Sequence, residues 1–170
     1  MNEHPFVALA RRTIETYIKE GKIIKPPKEL TPEMKEKAGV FVSLHRQGEL
    51  RGCIGTFTGT SENAATEVIR NAIESSTRDP RFPPLREDEL ADLEISVDVL
   101  SEPTPAASID ELDAKKYGII VKAGNRRGLL LPDLEGVGTP AEQIAICRRK
   151  GGIGANEPVE LFKFTVRRYK

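Results

Sequence analysis

The residues best suited by type and spacing to do chemistry lie in "ELRGCIGTFTGT", Glu49 to Thr60. This β-like run gives up two side chains to glycine beside a thiol and a guanidinium. In a strand alternate residues share a face, so Arg51 and Cys53 project together while Leu50, Gly52 and Ile54 project oppositely. A guanidinium a few ångströms from a thiol favours the thiolate and lowers its pKa, which makes Cys53 a candidate nucleophile. Gly52 and Gly55 would let another backbone or a ligand approach closely. The competing reading is a small hydrophobe, because free cysteine is among the most buried residue types. Cys147 is read only in that second way.

A second constellation is "TRDPRFPPL", with Arg78, Asp79 and Arg81 in a loop stiffened by Pro80, Pro83 and Pro84. Guanidinium groups held in such a loop suit a carboxylate or other anion bidentately. The bland alternative is a surface loop tied by an Arg–Asp pair and anchored by Phe82. Arg126 and Arg127 in "GNRRG" read as a solvated hairpin tip.

The elements that must position these residues follow from periodicity. Phe6, Ala10, Ile14, Tyr17 and Ile18 recur every three or four positions, an amphipathic helix that Gly21 stops. Thr31 and Pro32 open one further helical turn. "GVFVSLH" alternates and continues through Gln47-Gly48 into "LRGCIG" as a β-hairpin. An unbulged register pairs Val42 with Cys53 and puts His45 on the face opposite the thiol, which argues against a Cys–His pair, whereas a one-residue bulge at Gly48 would reverse this. "ENAATEVIRNAIESS" is a second amphipathic helix, and "LEISVDVL" is a half-buried strand. "EPTPAAS" reads as a linker and the candidate lobe boundary, near 101–108. "YGIIVKAGNRRGLLLPD" is a second hairpin turning at Gly124-Asn125. Thr139-Pro140-Ala141-Glu142 is a capping box for a helix running to about Lys150. "VELFKFTVRRY" closes the chain as one strand. Two hairpins argue against an all-parallel sheet, so the expected fold is α+β, with a mainly antiparallel or mixed sheet packed by helices.

Counting excludes several chemistries. With 26 basic and 26 acidic side chains in 170 residues, no net field draws the protein toward nucleic acid or an anionic membrane. No apolar run reaches the ~20 residues of a membrane span. The N-terminus does not read as a signal peptide, so a cytoplasmic location is expected, with both cysteines reduced. His4, His45, Cys53 and Cys147 are too scattered for a zinc site, and two distant cysteines cannot hold an iron–sulfur cluster. A P-loop and a G-x-S-x-G elbow are both absent. No metal and no resident cofactor are expected.

"LRGCIGT", "NAIESSTRDPRFPPLREDEL", "ISVDVLSEP", "KYGIIVKAGNRRGLLLPDLEGV" and "LFKFTVRRY" together resemble the AMMECR domain, across about Phe6 to Tyr169. "DLEGV" is similar to the prokaryotic members called protein A of the AmmeMemoRadiSam system. The resemblance implies one α+β domain, 1–170, of two lobes with a cleft lined by Leu50, Arg51, Gly52, Cys53, Ile54 and Gly55. It also implies two partners, a Memo-like protein and a radical SAM enzyme. The chain itself has too few histidines for a two-His-one-carboxylate iron site and no cysteine triplet, so it is expected to be the AMMECR component alone. The resemblance places Arg51, Cys53 and Arg81 in one cleft.

Two functions from different classes follow. The first is a ligand-binding or catalytic component, with Cys53 as candidate nucleophile and Arg51, Arg81, Asp79 and Arg78 holding an anionic substrate. The alternative is a non-catalytic interaction module that scaffolds the two partners.

Overall fold

The structure, a computed structural model, describes residues 2–170. In chain order its elements are α1 (Pro5–Glu20), α2 (Pro32–Lys35), β1 (Val40–Arg46), β2 (Glu49–Gly55), α3 (Ala64–Thr77), β3 (Leu93–Leu100), β4 (Thr104–Ala106), β5 (Gly118–Ala123), β6 (Arg126–Leu130), α4 (Pro140–Gly151), β7 (Glu160–Phe164) and β8 (Val166–Tyr169). Short 3-10 turns lie at Glu87–Asp92 and Ile109–Glu111. The chain divides into two compact units, one reaching Leu100 and including Arg167–Lys170, the other Ser101–Val166.

The first unit is a four-stranded sheet in the order β2-β1-β3-β8, covered on one face by helices. Pro5 takes the first helical position of α1, and His4 Nδ1 caps it by accepting the Phe6 N–H at 3.3 Å. Gly21 ends the helix with φ 65°, in the left-handed conformation that glycine enters without penalty. Asn63 caps α3 by accepting the Thr66 N–H at 2.9 Å. The apolar stripes of both helices meet Val40, Val42 and Leu44 of β1 and Leu93, Ile95 and Val97 of β3 in one core. Each fully buried aliphatic side chain there contributes about 1.5–3 kcal/mol of transfer free energy.

The β1–β2 hairpin turns at Gln47 and Gly48, whose φ angles of 52° and 80° fit the turn that matches strand twist. The expected register holds for Arg46 with Glu49 and His45 with Leu50. It then slips: Leu44 pairs with Gly52, Ser43 with Cys53, Val42 with Ile54 and Phe41 with Gly55. Arg51 is the extra residue of a bulge. This corrects the placement of His45. With Ser43 opposite Cys53, strand alternation sets His45 on the thiol's face, two positions along β1 from the residue that meets the sulfur.

The second unit carries the sheet β4-β7-β5-β6, with α4 against it and a core of Ala106, Leu112, Ile119, Val121, Leu130, Cys147 and Ile153. The hairpin turns at Gly124 and Asn125 as expected, between Ala123 and Arg126. Cys147 is fully buried in this core, and burial pushes its thiol up to about 11. Two expectations are corrected here. The linker segment contains strand β4, where Pro105 sits on an edge that needs no N–H from it. The closing run is two strands in two sheets, broken at Thr165. Its N–H donates to Ser101 Oγ at 2.8 Å and its carbonyl accepts the Ser101 N–H at 2.9 Å. The residue that interrupts both ladders therefore leaves neither backbone group unpaired.

Candidate functional site

Cys53 lies on β2, an outer strand of its sheet, where unpaired N–H and C=O groups would ordinarily face outward. Side chains of the proline-rich loop take their place. Asp79 Oδ2 accepts the Cys53 N–H at 3.0 Å, and Arg81 Nη2 donates to the Cys53 carbonyl at 3.1 Å. Both backbone groups of Cys53 thus point away from β1, which makes Ser43–Cys53 a pair without mutual backbone hydrogen bonds. Such pairs bring side chains closest, and Ser43 Oγ and Cys53 Sγ are 3.2 Å apart.

The loop is held by its own ion pair. Arg81 grips Asp79 through Nε to Oδ1 at 3.0 Å and Nη2 to Oδ2 at 2.8 Å, and the Arg81 N–H adds a third contact at 3.0 Å. Asp79 is buried. The Arg81 guanidinium, with the N–H groups of Cys53 and Arg81, holds its carboxyl well below the usual range against the opposing effect of burial. Arg81 remains 54% exposed, packs 5.5 Å from the centre of the Phe82 ring, and makes no hydrogen bond through Nη1 among the described residues. The buried anchor of this segment is Leu85, with Phe82 half-buried.

Around the thiol the charges differ from the sequence expectation. Burial raises the Cys53 pKa; the Ser43 hydrogen bond and the Arg81 charge lower it, and Asp98 and Asp79 raise it again, for a net upward shift. Asp98 is 1% exposed and bound bidentately by Arg168 at 2.7 and 2.9 Å. It pairs with Phe41 on the neighbouring strand. Cys53, Ser43, Asp98 and Arg168 therefore form a polar set on the sheet face away from the helical core.

Arg51 works elsewhere. The bulge turns it to Glu89, which accepts from Nε at 2.9 Å and Nη2 at 3.0 Å, and to the carbonyls of Pro83 at 2.9 Å and Pro84 at 3.4 Å. Glu89, buried, also takes Arg46 Nη1 at 3.0 Å and the Arg86 N–H at 2.8 Å. The guanidinium of Arg51 lowers the Glu89 pKa in spite of burial. Arg51 fastens the proline-rich loop to the sheet, and the guanidinium acting on the thiol is that of Arg81. Arg78 caps α3 and turns back along it to Glu74 at 2.8 Å, apart from Asp79 and Arg81.

The two glycines are approached by this chain's own atoms. A Cβ on Gly52 would overlap the Ser75 carbonyl oxygen of α3, and one on Gly55 would overlap the Phe41 ring. The segment after β2 is held by Glu67, fully buried, which accepts from the hydroxyls of Thr56 and Thr60 and the N–H groups of Thr60 and Ser61.

Among the described residues, no group of three or more His, Cys, Asp or Glu side chains is placed to hold a metal ion, and no helix is long and apolar enough to cross a membrane. The sequence reading did not single out Ser43, Asp98, Arg168, Glu89 or Glu67. A signal existed for two of them. Ser43 and Asp98 occupy the polar phase of alternating strands, and only the inter-strand register shows that they converge.

The AMMECR1 family model matches residues 7–170. A protein of Thermotoga maritima is 52% identical over 173 residues, covering 100% of this chain and 99% of its own length. A Clostridium acetobutylicum protein is 49% identical over 168 residues, and the match covers 98% of this chain but 36% of that longer protein. Among solved structures, the uncharacterized protein PH0010 from Pyrococcus horikoshii superposes with a TM-score of 0.87 at 37% identity, covering 96% of this chain and 88% of that one. The chain belongs to the AMMECR1 family.

Proposed function

We propose that this chain is the ligand-recognising component of a system whose other members are a Memo-like protein and a radical SAM enzyme, with recognition at the Cys53 strand edge. One observation carries the reading. Asp79 and Arg81 saturate both backbone groups of Cys53, while Arg81 keeps Nη1 free at the surface beside a half-buried thiol. A guanidinium clamped by Asp79 loses little freedom on binding, so its two Nη1 hydrogens suit a carboxylate or carbonyl oxygen of a small ligand. Burial keeps Cys53 as a neutral thiol, a soft contact and weak donor rather than a standing thiolate. The partners are inferred from the motif resemblance, above all "DLEGV" with "LRGCIG".

The test is co-expression with the two partners, followed by mass spectrometry of small molecules and proteins retained by wild type, Arg81→Gln and Cys53→Ala. The expected result is that Arg81→Gln remains folded and partner-bound but loses the retained small molecule. Unchanged retention in both variants would overturn recognition at this edge, and partner binding with no small molecule retained even by the wild type would support the scaffolding role. Iodoacetamide labelling against pH tests the thiol separately. A midpoint above ~8.5, the ordinary thiol value, is expected, and one well below it would restore Cys53 as a nucleophile.

A further inference from the structure

A cavity of about 450 Å³ opens on the helical side of the first unit, between the end of α1, the segment after it and α3. Its apolar lining includes Tyr17, Ile23, Ile24, Ile69 and Ile73. Ile69 and Ile73 are nearly buried in α3, whereas Ile23 is 67% exposed, the most exposed large hydrophobic side chain among the described residues. Stopping α1 at Gly21 places Ile23 and Ile24 beside the cavity, and Pro26 in its wall limits how far the segment can move. Ile23 thus offers apolar surface to solvent beside the cavity, next to the packed side chains of Ile24, Ile69 and Ile73.

The mouth is basic. Arg70 and Arg78 both border the cavity, with Glu74 as the acidic residue between them. Glu74 is occupied by Arg78 at 2.8 Å. Arg70 has the hydroxyl of Thr60 as its partner, at 2.9 Å, and no carboxylate. Thr60 in turn donates to Glu67, so the Arg70 guanidinium reaches a carboxylate only through that hydroxyl, and its other N–H donors stay open beside the apolar lining. Volume, concavity and an apolar lining with few polar groups are the features of a small-molecule site.

We infer that this cavity binds an amphipathic carboxylic acid, its hydrocarbon body between Ile23, Ile24, Ile69 and Ile73 and its carboxylate on Arg70. The site is separate from the Cys53 edge and does not depend on the function proposed there. It accounts for Arg78 as well, which neutralises Glu74 and so leaves the mouth net positive.

The experiment titrates the intact chain with decanoate below its micellar concentration, followed by calorimetry and amide chemical shifts. The neutral 1-decanol and the cationic decyltrimethylammonium serve as matched probes. One saturable site is expected, with shifts confined to residues 17–26 and 66–78 and the two non-acidic probes about tenfold weaker, as loss of a charge-assisted hydrogen bond requires. Arg70→Gln, checked for native circular dichroism, should weaken decanoate about tenfold and leave 1-decanol unchanged. Ile23→Ser, a surface change that folding tolerates, should weaken all three decyl probes. Equal binding of the three head groups, absence of saturation, shifts centred elsewhere, or wild-type binding by both variants would overturn the inference.

Discussion

Replacing Arg51 by alanine distinguishes a residue that holds the site together from one that holds a ligand. Four of its five N–H donors are engaged, two on Glu89 and two on the Pro83 and Pro84 carbonyls. Removing one partner of a buried ion pair costs about 3–5 kcal/mol when the other charge is left alone. Glu89 is not left alone, since Arg46 and the Arg86 N–H remain on it at 3.0 and 2.8 Å. The expected loss is therefore lower, about 2–3 kcal/mol. In a protein of this size that lowers Tm by roughly 4–12 °C.

A double-mutant cycle with Glu89→Gln isolates the pair and should give a coupling of about 1–2 kcal/mol at pH 7. The sign of the pH dependence follows from the depressed Glu89 pKa. Its contribution is fully present above the unfolded value of 4.5 and fades as pH falls through the lower folded value. Urea unfolding between pH 7 and pH 3 should accordingly show a coupling that shrinks as pH falls below 4.5. Unfolding of Arg51→Ala within about 0.5 kcal/mol of wild type, or a coupling that persists unchanged at pH 3, would refute this role for Arg51.

Three further outcomes are expected. Asp79→Asn loses the carboxylate shared by the Cys53 N–H and Arg81, which should cost about 2–3 kcal/mol in urea unfolding and speed amide exchange at Cys53. Because Asp79 is depressed below 3.8, the difference from wild type should shrink only in strong acid. Gly52→Ala forces a Cβ onto the Ser75 carbonyl of α3, and Gly55→Ala forces one onto the Phe41 ring at the Cγ and Cδ atoms nearest its backbone, so each should cost more than about 3 kcal/mol, read by thermal unfolding. Glu67→Gln turns an amide N–H₂ toward donors that need an acceptor, so about 1–3 kcal/mol is lost and amide exchange at Thr60 and Ser61 accelerates.

The sequence by itself determined the elements and their caps, because these depend on neighbours a few residues apart. The three-and-four spacing of Phe6, Ala10 and Ile14, the Gly21 stop, the Thr139 cap and the two-residue turns at Gln47-Gly48 and Gly124-Asn125 are local properties. It also separated "LRGCIG" and "TRDPRFPPL" as the chemically loaded segments, which the structure brings into direct contact through Asp79, Arg81 and Cys53.

Tertiary structure decided what each charged residue does. A single bulge at Arg51 changes the register, sets Ser43 rather than Val42 opposite the thiol, and sends the guanidinium to a carboxylate 38 residues away. A side chain's phase in a strand reverses with one inserted residue, and no local pattern in this hairpin encodes the insertion. The same holds for the closing strand, where alternation runs unbroken through Thr165 although the chain changes sheets there. The direction of the Cys53 shift follows from burial and from Asp98, groups that only folding places around the sulfur. Proximity in sequence paired Cys53 with Arg51; packing paired it with Arg81, Ser43 and Asp98.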